Sequence, residues 1–139
     1  MGRLRAMAVV AGLGAAACYP HATAVLTDPS VKLAPICLDG VKLFTVFAKP
    51  ATDFREVAIL HSGGDWNDVT YTLIYLSMRR KAAALGANGV IIGSIREPTK
   101  GEKFRDVFSD QPAERMGAST AILIPADSER VRVACGAPT

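Results

Sequence analysis

The sequence predicts an α+β fold: a mixed sheet of about five to six strands with a βαβ unit and one principal helix. Three observations predict it. Residues 56–61 and 89–95 are short apolar runs rich in β-branched residues, as in strands. Between them, residues 67–85 carry apolar side chains three and four apart, the period of a helix. Gly86 then follows the last periodic residue, Leu85, where a helix ends in a left-handed turn, and Asn88-Gly89 leads straight into Val90-Ile91-Ile92. A strand, a helix and a strand so joined should form a crossover with the two strands parallel.

In chain order, residues 1–17 read as a secretory leader of the lipoprotein type. Arg3 and Arg5 form a positive start, and Ala6 to Ala17 is too short, against the roughly 20 residues of a membrane span, to cross a bilayer. Ala15-Ala16-Ala17-Cys18 resembles a bacterial lipobox, with Ala15 where the pattern usually has leucine, which makes Cys18 the candidate lipidation site. Cleavage after Ala24, at Ala22-Thr23-Ala24, is the alternative and would discard Cys18. Residues 18–34, with two prolines, read as a flexible tether, and residues 35–136 as one α+β domain.

Within that domain, 33–38 and 41–47 flank Asp39-Gly40 and predict a hairpin. Residues 56–61 read as a strand of the buried kind. Ser62-Gly63-Gly64-Asp65 reads as a loop in which Asp65 or Asn67 caps the following helix, an anion-holding loop being the alternative. The helix shows two apolar stripes. Tyr71, Ile74, Tyr75, Met78, Ala82 and Leu85 should pack on the sheet, whereas Val69, Leu73, Leu76 and Ala83 form an outer face. That outer face is either covered by another part of the chain or is a contact surface for a partner or a second copy. Residues 96–117 form a long, charged loop in which Phe104, Val107 and Phe108 recur at helical spacing, so a short amphipathic turn should fold back on the domain, or the three side chains simply anchor the loop. Residues 119–124 and 130–135 predict a final hairpin, which points Cys135 inward beside Val131 and Val133.

Charge and cysteine content bound the function. The formal net charge is +3, but of 16 basic residues the leader removes Arg3 and Arg5, leaving 14 against 13 acidic ones. No basic run with interleaved aromatics suggests nucleic acid, and Arg79-Arg80-Lys81 reads as a solvated helix face. In an oxidising compartment Cys37 and Cys135 can pair, closing a loop of nearly a hundred residues worth on the order of 4 kcal/mol; two separate buried thiols are the alternative.

The block Met78-Arg79-Arg80-Lys81-Ala82-Ala83-Ala84-Leu85-Gly86-Ala87-Asn88-Gly89-Val90-Ile91, behind the lipobox-like leader, resembles a group of small uncharacterised bacterial lipoproteins marked by an AxxLGANAVI turn. It is more distantly similar to the periplasmic domain of the Rcs stress-sensor lipoprotein and to YbjQ-like putative heavy-metal-binding proteins. The Rcs resemblance implies a lipid-anchored, disulfide-stapled signalling domain, with two cysteines here where that protein uses two bridges. The YbjQ-like resemblance implies an oligomer.

The expectation is therefore a non-enzymatic envelope lipoprotein, periplasmic and anchored by lipid to the outer membrane, that binds or signals to a protein partner or self-associates. No cofactor is expected. An alternative is a metal-binding or small-molecule-binding periplasmic protein using His61, Asp65 and reduced thiols, although a lone strand-end histidine is more often structural than a ligand. A hydrolase with His61 as base would lack a nucleophile elbow and a triad partner.

Overall fold

The computed structural model describes residues 20–136. The expected leader, residues 1–17, and the candidate lipidation site Cys18 lie outside the described residues, as do residues 137–139. The five strands are β1 (Ala22–Leu26), β2 (Lys42–Thr45), β3 (Arg55–Asp65), β4 (Gly89–Arg96) and β5 (Glu114–Leu123). The helices are α1 (Tyr71–Ala84), α2 (Lys100–Asp106) and α3 (Ser128–Ala134). All strands join one mixed sheet in the order β1-β3-β5-β4-β2. Because β5 runs antiparallel to both β3 and β4, those two are parallel, with β5 inserted between them. The crossover through α1 thus skips one strand position.

α1 covers one face of this sheet. Ile74, Met78 and Ala82 meet Ala58 and Leu60 of β3, Val90 of β4 and Ala121 of β5, all buried. On the opposite face Ile91, Ile122 and Ile124 bury themselves with Phe44 and Phe54 at one end. The rest of that face is open, with Val25 63% and Ile59 47% exposed and His61 exposed. Residues 56–61 are consequently not buried on both sides: Ala58 and Leu60 face the helix, whereas Ile59 and His61 face solvent.

The turn after α1 is a Schellman motif, in which Ala87 N–H donates to Ala82 O and Gly86 N–H to Ala83 O, each at 3.0 Å. Gly86 has φ +75°, and a Cβ there would lie 2.5 Å from Ala34 O. Asn88 serves differently from the expected positive-φ turn residue, since no non-glycine residue among those described has positive φ. Its buried side chain donates from Nδ2 to Ile124 O (2.8 Å) and accepts from Ile124 N–H (2.7 Å). Its backbone donates to Ile122 O and accepts from Lys42 N–H. One residue thereby ties β4, β5 and β2 together.

Three expectations are corrected. Residues 33–38 form no strand; Leu38–Gly40 is a 3-10 turn, and β2 pairs parallel with β4 at the far edge instead of forming a hairpin. The turn is held from outside, because Arg79 donates to Leu38 O and Val41 O, and Arg130 donates to Gly40 O. Residues 128–134 are helical, not the second arm of a hairpin. Cys135 is bonded to Cys37 across 98 positions. Eight residues of strand would carry it more than about 20 Å from Ser128, against about 10 Å for a helix, and Asp127–Arg130 and Glu129–Arg132 pairs support the helical spacing.

Residues 18–34 are not wholly a tether, since β1 is an edge strand pairing Ala22 with Ser62 through Leu26 with Ala58. Of the two readings of the outer stripe, cover by the chain is the one seen for Val69 and Ala83, which are 4% and 6% exposed, while Leu73 and Leu76 are half-buried. Part of its cover comes from residues 33–41, where Ile36 N–H bonds Ala83 O.

Truncating Asn88 would orphan the buried N–H and C=O of Ile124. Asn88→Ala is expected to lower the unfolding free energy by about 2–5 kcal/mol, with an unchanged urea m-value. A loss under half a kilocalorie would show that water replaces the amide.

Candidate functional site

Residues 97–113 carry three exposed large apolar side chains, and their geometry follows from a few fixed contacts. β4 ends at Arg96, and Thr99 starts α2 with a capping box: its Oγ1 accepts from Glu102 N–H (3.2 Å), while Glu102 accepts from Thr99 N–H (2.7 Å). Arg96 adds an ion pair to Glu102 at 3.0 Å. These contacts, the Thr99 backbone first and Arg96 next, hold the Glu102 carboxyl down at about 2.

Two clamps attach this segment to the sheet. Trp66, just after β3, donates from Nε1 to Asp106 (3.2 Å), and the Lys103 ammonium lies 4.1 Å from the centre of its ring. At the other clamp Arg115 of β5 grips Glu97 in a fork, Nε to Oε1 at 2.6 Å and Nη2 to Oε2 at 3.2 Å. Arg115 also donates to Val69 O and lies over Tyr71, its guanidinium 5.0 Å from the ring centre. The fork, and secondarily a hydrogen bond from Tyr71, lowers the pKa of Glu97, and the same Glu97 contact raises that of Tyr71.

Contrary to the expectation that they pack back on the domain or anchor the loop, Phe104 of α2 and Val107 and Phe108 in the turn after it face solvent at 68%, 75% and 74% exposure, the polar groups around them being held by these clamps. The two phenyl rings lie 5.0 Å apart. Beside them a shallow groove between α2 and the start of β5 is bordered by Arg96, Arg105, Glu102 and Glu114. This arrangement offers an apolar patch rimmed by charges of both signs, the composition of a protein-contact surface.

The other sequence-derived candidates lie apart from it. Cys37 and Cys135 join the Leu38–Gly40 turn to the end of α3. His61 is exposed on the open sheet face, paired in register with Ala118 and Thr23. Asp65, four residues on, accepts from Asn67 N–H at 2.9 Å. Ser62 to Asp65 belong to β3 and are not an anion loop; the cap of α1 is Thr70, accepting from Leu73 N–H. Among the described residues no group of three or more His, Cys, Asp or Glu could hold a metal ion. Trp66 and Arg115 were not singled out in the sequence. The lone tryptophan after a strand was the one available signal, whereas the pairing of Glu97 with Arg115 has none.

Neither a family model nor a curated protein sequence matches the chain. Among solved structures, a Francisella virulence factor, FvfA, is similar with a TM-score of 0.53 at 12% identity, over 73% of this chain and 96% of that one. At that identity the likeness concerns the fold alone.

Because the Glu102 pKa is depressed below its ordinary 4.5, its contribution to α2 is fully present above that value and is lost as pH falls through about 2. Amide exchange in α2 should therefore accelerate over this window, and Glu102→Gln should flatten the dependence. An NMR titration that finds the carboxyl near 4.5 would contradict the capping geometry.

Proposed function

We propose that this chain is a non-enzymatic, lipid-anchored protein of the bacterial envelope whose domain binds a protein partner through α2. The observation that carries the partner surface is the exposure of Phe104, Val107 and Phe108 on a helix clamped from behind by Trp66 and Asp106. Three large apolar side chains held on an ordered backbone would lose little conformational entropy on being covered.

Anchoring through Cys18 draws support from β1. Cleavage after Ala24 would remove three of its five residues and their pairing to Ser62, His61 and Leu60, exposing the edge of β3. Modification at Cys18 leaves β1 whole. The joined Cys37 and Cys135 suit an oxidising compartment, in keeping with the resemblance to small bacterial lipoproteins and the Rcs sensor domain.

A photo-crosslinking residue placed at 104 or 108 in living cells is expected to give one discrete adduct, absent when the residue is at Ala126. Phe108→Asp should abolish the adduct formed from position 104, and Phe104→Asp the one formed from 108, without changing Tm by more than a few degrees. Equal adducts from both positions and from Ala126 would refute a specific surface.

A further inference from the structure

α2 is amphipathic in the reverse sense for a helix lying on a domain. Glu102, Lys103 and Asp106 are half-buried, held by Thr99, Arg96 and Trp66. Lys100, Gly101, Phe104 and Arg105 are exposed, and the exposed surface continues into Val107 and Phe108. Gly101 lies on this face one turn before Phe104, where a Cβ would meet only Thr99 Oγ1, at 4.0 Å. Glycine weakens a helix, and no contact among the described residues requires one here, whereas a second backbone approaching this face would.

The face carries charge of opposite sign at its two ends. Lys100 precedes Phe104 by one turn, and Asp110 follows Phe108 by two residues. Both are exposed, and among the described residues neither side chain has an ion pair or hydrogen bond. Lys100 does nothing for α2 itself, because the helix dipole disfavours a cation in the first turn. To the side of the patch, Arg105 borders the adjoining groove together with Glu114, so that charge is balanced locally. A surface apolar in the middle, cationic at one end and anionic at the other is complementary to itself turned end for end.

We infer that the partner of α2 is a second copy of this chain, docked about a two-fold axis at the Phe104–Phe108 pair. The inference rests on the reading of α2 as a protein-contact surface. In this arrangement Phe104 of each copy faces Phe108 of the other, and Lys100 of each copy faces Asp110 of the other. A partner of a single charge sign would be repelled at one end, and so would a surface of lipid phosphates at Asp110. At 68% and 74% exposure the two phenyl groups leave roughly 300 Å² of apolar surface open per copy. A specific interface of the smaller kind takes about 600 Å² per partner, so with Val107 and the charged rim the contact is that of a small, reversible dimer.

The test uses the full chain in living bacteria, with two differently tagged copies co-expressed and the photo-crosslinking residue at position 104 of one. The expected adduct has twice the mass of one copy and carries both tags. K100E in both copies, or D110K in both, sets like charges against each other at both ends and should lower the adduct at least about threefold at equal expression. K100E in one copy with D110K in the other pairs opposite charges at both ends again and should restore it, which a merely misfolded variant could not do. A doubly tagged adduct indifferent to both charge reversals would overturn the end-for-end docking. One discrete adduct of another mass, lacking the second tag, would overturn self-association and leave α2 as the surface for a different protein. Absence of any protein adduct would refute both readings.

Discussion

The double hydrogen bond of the buried Asn88 side chain to the backbone of Ile124 is the constraint on which the rest of the fold depends. It occurs where β5 has ended at Leu123 and the ladder with β4 has run out. A side-chain amide can imitate a peptide group, donating and accepting at once, so Asn88 extends the pairing by one residue in place of backbone. Its own N–H and C=O reach Ile122 and Lys42. Buried polar groups are costly when unpaired, and here each has a partner, so the residue specifies the register of three strands instead of weakening the core.

The same junction gathers the two chain segments that are least regular. Arg130 donates to the carbonyls of Gly40 and Asn88 while paired with Asp127, and Cys135 is bonded to Cys37 a short way off. Residues 33–41 have no ladder of their own. The carbonyls of Leu38, Gly40 and Val41 accept from Arg79 and Arg130, guanidinium groups that offer several donors in a fixed plane. The segment so fixed covers one side of α1, and the site moves accordingly from the helix to the far end of the sheet.

At that far end the logic is reversed. The clamps at Trp66 and Arg115 satisfy the polar groups of residues 97–113 and leave its apolar side chains outward. An exposed cluster of this kind on an ordered helix carries a solvation cost that a partner would relieve.

What the sequence by itself determined was local. The stop of α1 at Gly86 follows from a backbone angle that side chains disfavour, and the strand–helix–strand order around it follows from hydrophobic period. The α+β class with one main helix was therefore legible, as was the helical spacing of Phe104, Val107 and Phe108. The two expected hairpins were not there, because Asp39-Gly40 and the alternation in Arg130 to Cys135 are signals shared by turns, strands and short helices. Only long-range contacts chose among them: Arg79 and Arg130 on the first segment, the tie to Cys37 on the second. Likewise the stripe of Val69, Leu73, Leu76 and Ala83 has the period of a helix face whether water or protein lies above it. Only the tertiary structure decided that, by laying an irregular segment over Ala83 and leaving α2 bare, since periodicity records which side chains share a face but not what packs on it.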